Sequence, residues 1–270
     1  MQALRQIDGW PVAFAVAGFI DLDGAVTTRG DTARAVRLAS VSKPVVALAV
    51  LVAAEEGVVD LDEQAGPPGS TVRHLLAHTS GLAFEGTTPI GPPGRRRIYS
   101  NEAFRILADH LAARAEMGFP DYVQAAVSTP LRIGLDPHGD PGSGMHGSLD
   151  DVLAVGRELL RPTLVAPETL DEMTSVQFPG LAGVLPDHGR FDPLDWGLGV
   201  QLNTPTPTWM GSRASSIAFG HFGGSGTFLW VDPDSGVVCA ALTTREFGSW
   251  AKAAWPALYD AVLDELAGGK

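Results

Sequence analysis

The apolar positions along the chain change their period twice, and those changes set out its organisation. Residues about 10 to 38 read as two or three strands: the apolar run "WPVAFAVAGFI", the turn "DLDG", then a second strand with β-branched Val26, Thr27 and Thr28. The first run has some look of a short signal-peptide core. It starts late, however, lacks a basic region ahead of it and leads straight into a hairpin, so it is taken as a strand and the chain as given as cytoplasmic. After Ser40 the run Val45 to Ala54 predicts a helix, with Pro44 in its first turn, where the missing N–H has no intrahelical acceptor, and Gly57 at its end. Its Ala, Val and Leu content is apolar nearly all round, which predicts burial on most sides and a Ser40 hydroxyl at a buried helix N-terminus.

Residues about 70 to 175 are predominantly helical in pattern. "STVRHLLAH" is followed by "NEAFRILADHLAARAEMG", whose Phe104, Leu107, Ala108 and Leu111 form one stripe, and by "FPDYVQAAV". "SLDDVLAVGRELL", with Ser148 as cap, and "APETLDEMTSV", with Pro167 near its start, add two more helices. The Pro/Gly-rich pieces "TTPIGPPGRRR" and "LDPHGDPGSGMHG" read as loops. From about residue 196 the period returns to strand in "WGLGVQL", "SSIAFGHFG" and "GTFLWVDPDSGVVCAALTT", the last containing the turn "DPDSG". The helix "SWAKAAWPALYDAVLDELAG", with a bend expected at Pro256, closes the chain. Strands at both ends with helices between imply one domain over 1–270, of α/β (α+β type) class. An antiparallel sheet subdomain is expected from about 1–60 plus 196–270, with a helical subdomain, about 61–195, inserted between.

Composition narrows the partners. The 270 residues are 45% hydrophobic and 19% charged, no apolar run reaches the roughly 20 residues a membrane helix needs, and the size permits a substantial core. A formal net charge of −12 opposes attraction to phosphate backbones or anionic lipid. Neither nucleic acid nor membrane is therefore expected as a partner. The single cysteine, Cys239, lies in an apolar strand pattern and reads as core.

The chemistry begins at "RLASVSKPVV", where Ser40 and Lys43 stand three apart. Serine attacks a carbonyl poorly unless a base removes its proton, and one helical turn brings a lysine amine close enough to take part. The spacing alone is weak, because Ser249 and Lys252 repeat it in "SWAK". Ser40 is distinguished by two further boxes downstream, in order: "YSN" at Tyr99, Ser100 and Asn101, then "HFGG" from His221 to Gly224.

This order resembles the penicillin-recognising serine hydrolases: class C β-lactamases, D-Ala-D-Ala carboxypeptidases and family VIII-type esterases. Their pattern is Ser-x-x-Lys, Tyr-x-Asn and Lys/His-x-Gly. "TVRHLLAHTSGL", "PPGRRRIYSN", "WGLGVQL" and "GHFGGSGTFLWVDPDSG" extend the likeness over most of the chain. The resemblance implies a β-lactamase/transpeptidase-like fold with its cleft between the sheet and the helical region. It further implies that Ser40 is acylated and that Lys43 shares protons with Tyr99, which acts as phenol, or as phenolate if local cations lower its pKa, in base and acid roles. Asn101 would hold Lys43 and contact the substrate. His221 would orient Tyr99 or substrate, and the N–H groups of Ser40 and Gly224 would form the oxyanion hole. Gly223 and Gly224 would let substrate approach the strand closely. Asn101 is also a natural cap for its helix.

Two departures bear on substrate. Histidine replaces lysine in the third box, and Phe222 stands where β-lactam and peptide binders usually carry a hydroxyl, which favours an uncharged ester or amide unless Phe222 turns into the core. Other chemistry is unsupported: His74 and His78 in "HLLAH" lack the glutamate and third ligand of a zinc site, and no nucleotide loop or Gly-x-Ser-x-Gly elbow occurs. No cofactor or metal is expected. Arg95 to Arg97 read as a solvated loop, with cleft lining as the alternative. Three classes remain: a serine esterase or amidase on small neutral substrates, a β-lactamase or D-Ala-D-Ala peptidase, and a non-catalytic binding or scaffold protein. Loops Phe84 to Arg97 and Phe178 to Asp195 are expected to shape the pocket; the oligomeric state is open.

Overall fold

A computed structural model describes residues 2–185, 189–203 and 209–268. In chain order the elements are β1 (Ala15–Ile20), β2 (Val26–Arg29), β3 (Val36–Arg37), α1 (Ser42–Glu55), α2 (Val72–Leu76), β4 (Arg97–Ile98), α3 (Asn101–Ala115), α4 (Phe119–Val123), α5 (Thr129–Leu131) and β5 (His146–Gly147). Then come α6 (Leu149–Leu160), α7 (Pro167–Met173), β6 (Gly183–Leu185), β7 (Gly189–Phe191), β8 (Gln201–Leu202), β9 (Phe219–Gly223), β10 (Thr227–Asp232), β11 (Val237–Thr243) and α8 (Ser249–Gly268).

The main sheet runs β2-β1-β11-β10-β9-β8, antiparallel throughout, so strands from the two ends of the chain pair side by side: Ala15 opposes Thr243 and Ile20 opposes Val238. Successive residues of a strand face opposite sides, and both faces are covered. Val16, Ile20, Leu229, Val231 and Val238 join the core that holds α1 and α6, whereas Ala17, Phe19, Phe228 and Trp230 join a second core under α8 with Trp255 and Tyr259. The approach of α6 is close enough that a Cβ on Gly156 would stand 2.3 Å from Val238 Cγ1. Cys239 is buried in the second core.

Helix α1 is buried on every side from Ser42 to Leu51, as its all-round apolar sequence requires, and Gly57 follows it at φ +71°. Helix α2 is only Val72–Leu76, capped by Thr71, and it ends before His78, which sits at φ +57°; His74 and His78 therefore do not share a helix face. Helix α3 starts with Asn101, but its cap is Ser100, whose hydroxyl accepts from Ala103 N–H. That corrects the expectation that Asn101 caps the helix, and it leaves the Asn101 amide for another use. Ser148 and Asp151 form a reciprocal capping box on α6.

The segment expected to be two plain loops is more ordered. Arg97–Ile98 pairs in parallel with Gly183–Val184, which pairs with the strand containing Arg190, giving a second, three-stranded sheet β4-β6-β7. Residues 186–188 of the Phe178 to Asp195 loop lie outside the described residues. Among the described residues no helix is long and apolar enough to cross a membrane.

Candidate active site

Ser40 occupies a short 3-10 turn, Ala39–Val41, that leads into α1, and Lys43 is the second residue of that helix. One turn of separation places Lys43 Nζ 3.3 Å from Ser40 Oγ. The amine also donates to Asn101 Oδ1 at 2.7 Å and to the Gly142 carbonyl at 2.8 Å, and the side chain is fully buried. Burial disfavours its charge and brings its pKa down to about 7, against the opposing pull of Asp140 and Glu85. The amine is thus near half-neutral at neutral pH without leaving its three contacts.

Tyr99 follows β4 and shares a hydrogen bond with Ser40. Its ring lies between His78, at 4.4 Å between centroids, and Phe84, at 6.1 Å, with Lys43 Nζ 4.7 Å from its own centroid. Desolvation raises its pKa well above the ordinary phenol value, and the Ser40 contact offsets only part of that. That upward direction favours the phenol over the phenolate for Tyr99.

His221 is buried beside Tyr99 and Trp196, with ring centroids 5.9 and 5.6 Å away. It lies where β9 has run past the end of β8, whose pairing stops at Gly220. Its Nδ1 lies 2.7 Å from the Phe222 carbonyl, which can only accept, so the proton is assigned to Nδ1 and Nε2 is left as an acceptor with no hydrogen-bond partner among the described residues. Burial first and Lys43 second lower its pKa to about 3, so the imidazole is neutral at working pH.

The two glycines of the third box differ. A Cβ on Gly223 would come within 2.3 Å of both Leu38 O and Thr227 Oγ1, so this residue is glycine because β9 packs against the chain before Ser40. Packing by itself requires glycine there. Gly224 has open space in the Cβ direction and lines the cleft with Ser40 and Asn101, a cavity of about 750 Å3. Phe222 is buried on the opposite face of β9, against Trp209 at 5.1 Å and Phe247 at 4.8 Å. The expectation that its bulk replaces a substrate-facing hydroxyl is corrected: alternation along the strand turns it away from the cleft.

Arg97 departs from the solvated reading of the "RRR" run. It is buried, and its guanidinium donates to the carbonyls of Leu194 at 2.6 Å, Gln177 at 2.7 Å, and Ala77. Arg95 and Arg96 remain exposed. Three contributors had no sequence signal. The Gly142 carbonyl belongs to a Pro/Gly-rich loop, where any residue offers the same atom. Glu85 accepts from Asn101 Nδ2 at 3.2 Å, and Arg105 ties Glu85 to Glu102 and Asp140. Ser249 and Lys252, the second Ser-x-x-Lys, lie in α8 away from the residues that line this cleft.

Among the described residues there is no group of three His, Cys, Asp or Glu placed to hold a metal. The arrangement can do proton chemistry: a serine hydroxyl touching a largely desolvated amine and a phenol, at the wall of an open cleft.

The comparisons with known proteins bear on the family and the fold. The family model described as Beta-lactamase matches residues 1–263, and the chain belongs to that family of penicillin-recognising serine hydrolases. A structure of a beta-lactamase (Mb2281c) from Mycobacterium bovis is 48% identical, covers 97% of this chain and 98% of its own, and superposes with a TM-score of 0.95. EstCE1, described as a hydrolase with promiscuous acyltransferase activity, shares the fold at 18% identity and a TM-score of 0.79, with 97% of each chain covered. Penicillin-binding protein 4* of Bacillus subtilis (strain 168) is 27% identical over 126 residues; the match covers 34% of this chain and only 28% of that relative.

Proposed function

We propose that the protein hydrolyses a small ester or amide through an acyl-enzyme on Ser40. The observation that carries this reading is the Ser40–Lys43 contact of 3.3 Å, made by a buried amine whose pKa is depressed to about 7. Neutral Lys43 takes the proton as Ser40 Oγ forms its bond to the substrate carbonyl carbon. The proton then passes by way of the Tyr99 phenol to the leaving alcohol or amine as its bond to carbon breaks. Water reverses the sequence and frees the acid. Asn101 holds Lys43 in place, and the N–H groups of Ser40 and Gly224 face the oxyanion, each such donor being worth about 2.7–4 kcal/mol in the barrier. His221, with Nε2 as acceptor, orients the phenol or a substrate N–H or O–H.

The ester or amide reading rests on the neutral His221, which supplies no permanent cation at the β9 end of the cleft, and on Glu246, which lines that cleft. Phe222 no longer contributes to it. A second reading, a β-lactamase or D-Ala-D-Ala carboxypeptidase, is favoured by the 48% identity to a structure described as a beta-lactamase. Initial rates on chromogenic short-chain esters, a chromogenic cephalosporin and a D-Ala-D-Ala peptide separate the two, with Ser40→Ala as the blank for each. Ester turnover that exceeds the other two and vanishes in Ser40→Ala supports the first reading; cephalosporin or peptide turnover alone overturns it in favour of the second.

A further inference from the structure

The small sheet carries a groove of its own beside Tyr99. Ile98, Val184 and Arg190 stand directly opposite one another across β4, β6 and β7, and directly opposed residues present their side chains on the same face. The adjacent row begins with Arg97 and Gly183 and faces the other way, where Arg97 is buried against carbonyls. Above the first row lies a cavity of about 710 Å3, within the range of small-ligand sites. Phe84 lines both this groove and the Ser40 cleft, so the two spaces adjoin at its ring, which stacks on Tyr99; Tyr99 lines the groove and is hydrogen-bonded to Ser40.

The groove's chemistry is unlike the rest of the surface. Phe84, Ile90 and Val184 are 49%, 66% and 56% exposed, and three of the eight exposed large apolar residues among those described thus line one hollow. Arg95, Arg96 and Arg190 line it too, and none of these guanidiniums has an ion-pair partner among the described residues. No carboxylate is among its described lining, whereas the Ser40 cleft is lined by Glu85, Asp140 and Glu246. In a chain of net charge −12 this gathering of arginines around an apolar floor runs against the overall balance. Buried Arg97, whose guanidinium donates to carbonyls, adds positive potential from beneath, offset in part by Asp195.

We infer that the groove binds an apolar part of the substrate that ends in a carboxylate, with the scissile carbonyl at Ser40. This rests on the reading of Ser40 as the nucleophile, and it places the substrate's anion in the groove lined by Tyr99, whose described lining does not include His221. The apolar part displaces water from Phe84, Ile90 and Val184, and the carboxylate pairs with the exposed arginines.

Two measurements test it. The first compares kcat/KM for 4-nitrophenyl octanoate with that for the mono-4-nitrophenyl ester of suberic acid, which has the same chain with a terminal carboxylate. Wild type is expected to favour the carboxylated ester about tenfold at low salt, the 1.4 kcal/mol that two or three exposed ion pairs supply together. That ratio falls towards one in the Arg95→Ala/Arg96→Ala/Arg190→Ala triple variant and for wild type in about 0.5 M salt. A wild-type ratio near one, or a ratio that survives loss of the three arginines, overturns the inference. The second measures calorimetric binding of octanoate and octanamide to Ser40→Ala, and needs no turnover. Octanoate binding more tightly, with the advantage lost in the triple variant, supports the groove even if no ester is hydrolysed, in which case only the reading of Ser40 fails. Equal binding of the two overturns the groove and leaves Ser40 untouched.

Discussion

Replacing Lys43 by methionine removes the amine while keeping most of the buried stem. The change leaves Asn101 Oδ1 and the Gly142 carbonyl without their buried donor, at about 1–3 kcal/mol each. Against that stands relief from keeping an amine in a site that lowers its pKa from 10.5 to about 7, worth about 5 kcal/mol at 1.36 kcal/mol per tenfold change. The two nearly cancel, so the variant is expected to stay folded, and lost activity then reports chemistry. A positioned general base contributes about 10²- to 10⁴-fold, or about 2.7–5.5 kcal/mol of barrier. The assay is stopped-flow acylation by an activated ester from pH 5 to 9. In wild type the rate should climb about tenfold between pH 6 and 8 as Lys43 loses its proton, then level off. In Lys43→Met that limb should vanish and the plateau should fall by two to four orders of magnitude. A folded variant that keeps the limb, or stays within tenfold of wild type, would refute the assignment of Lys43 as base.

Acid stability is set by the buried histidines. His78 and His221 both titrate below their unfolded value of about 6.5 because burial penalises the cation, so the unfolded chain binds more protons below that pH. The histidine contribution should be fully present above pH 6.5 and fall as pH drops toward 3, by up to about 1.4 kcal/mol per pH unit per histidine; urea unfolding at pH 7, 6, 5 and 4 checks it, and a midpoint flat across that range would contradict it. Gly223→Ala forces a Cβ against Leu38 O and should cost about 1–3 kcal/mol in urea unfolding, whereas Gly224→Ala meets no atom within 4 Å and should cost far less. Ser249→Ala should leave the acylation rate within about twofold of wild type, since its Ser-x-x-Lys lies in α8 outside the cleft lining; a tenfold loss in a folded variant would show that the cleft is wrongly drawn.

Period alone was enough to read the alternation of strand, helix and strand, because burial acts on each residue where it stands. The mutual pairing of β1 with β11 emerged only once strands at both ends had to share a sheet. The site was legible to the extent that chemistry rests on side chains in order: Ser40, Lys43, Tyr99, Asn101 and His221 converge as the motif order implies. What escaped were contacts made by main chain or by distant charges. Gly142 acts through a carbonyl, which any residue has, and Glu85 reaches Asn101 only because the loop before β4 folds over α3. Ser100 outcompetes Asn101 as cap because it precedes the helix by one residue, a distinction finer than the usual uncertainty of a helix boundary. Phe222 misled because one residue's register in a strand decides which face it serves. Arg97 misled because its neighbours Arg95 and Arg96 are solvated, while pairing with Gly183 turns Arg97 inward.

The proposed chemistry stands or falls with Ser40 as the nucleophile. Intact mass after exposure to a fluorophosphonate and, separately, to a penicillin, with peptide mapping of any adduct, tests that role most directly. The expected result is a single fluorophosphonate adduct that maps to Ser40 and is absent from folded Ser40→Ala, with a penicillin adduct as well only if the second substrate reading is right. No adduct with either reagent on folded protein, or one that maps elsewhere and persists in Ser40→Ala, would contradict the role given to Ser40.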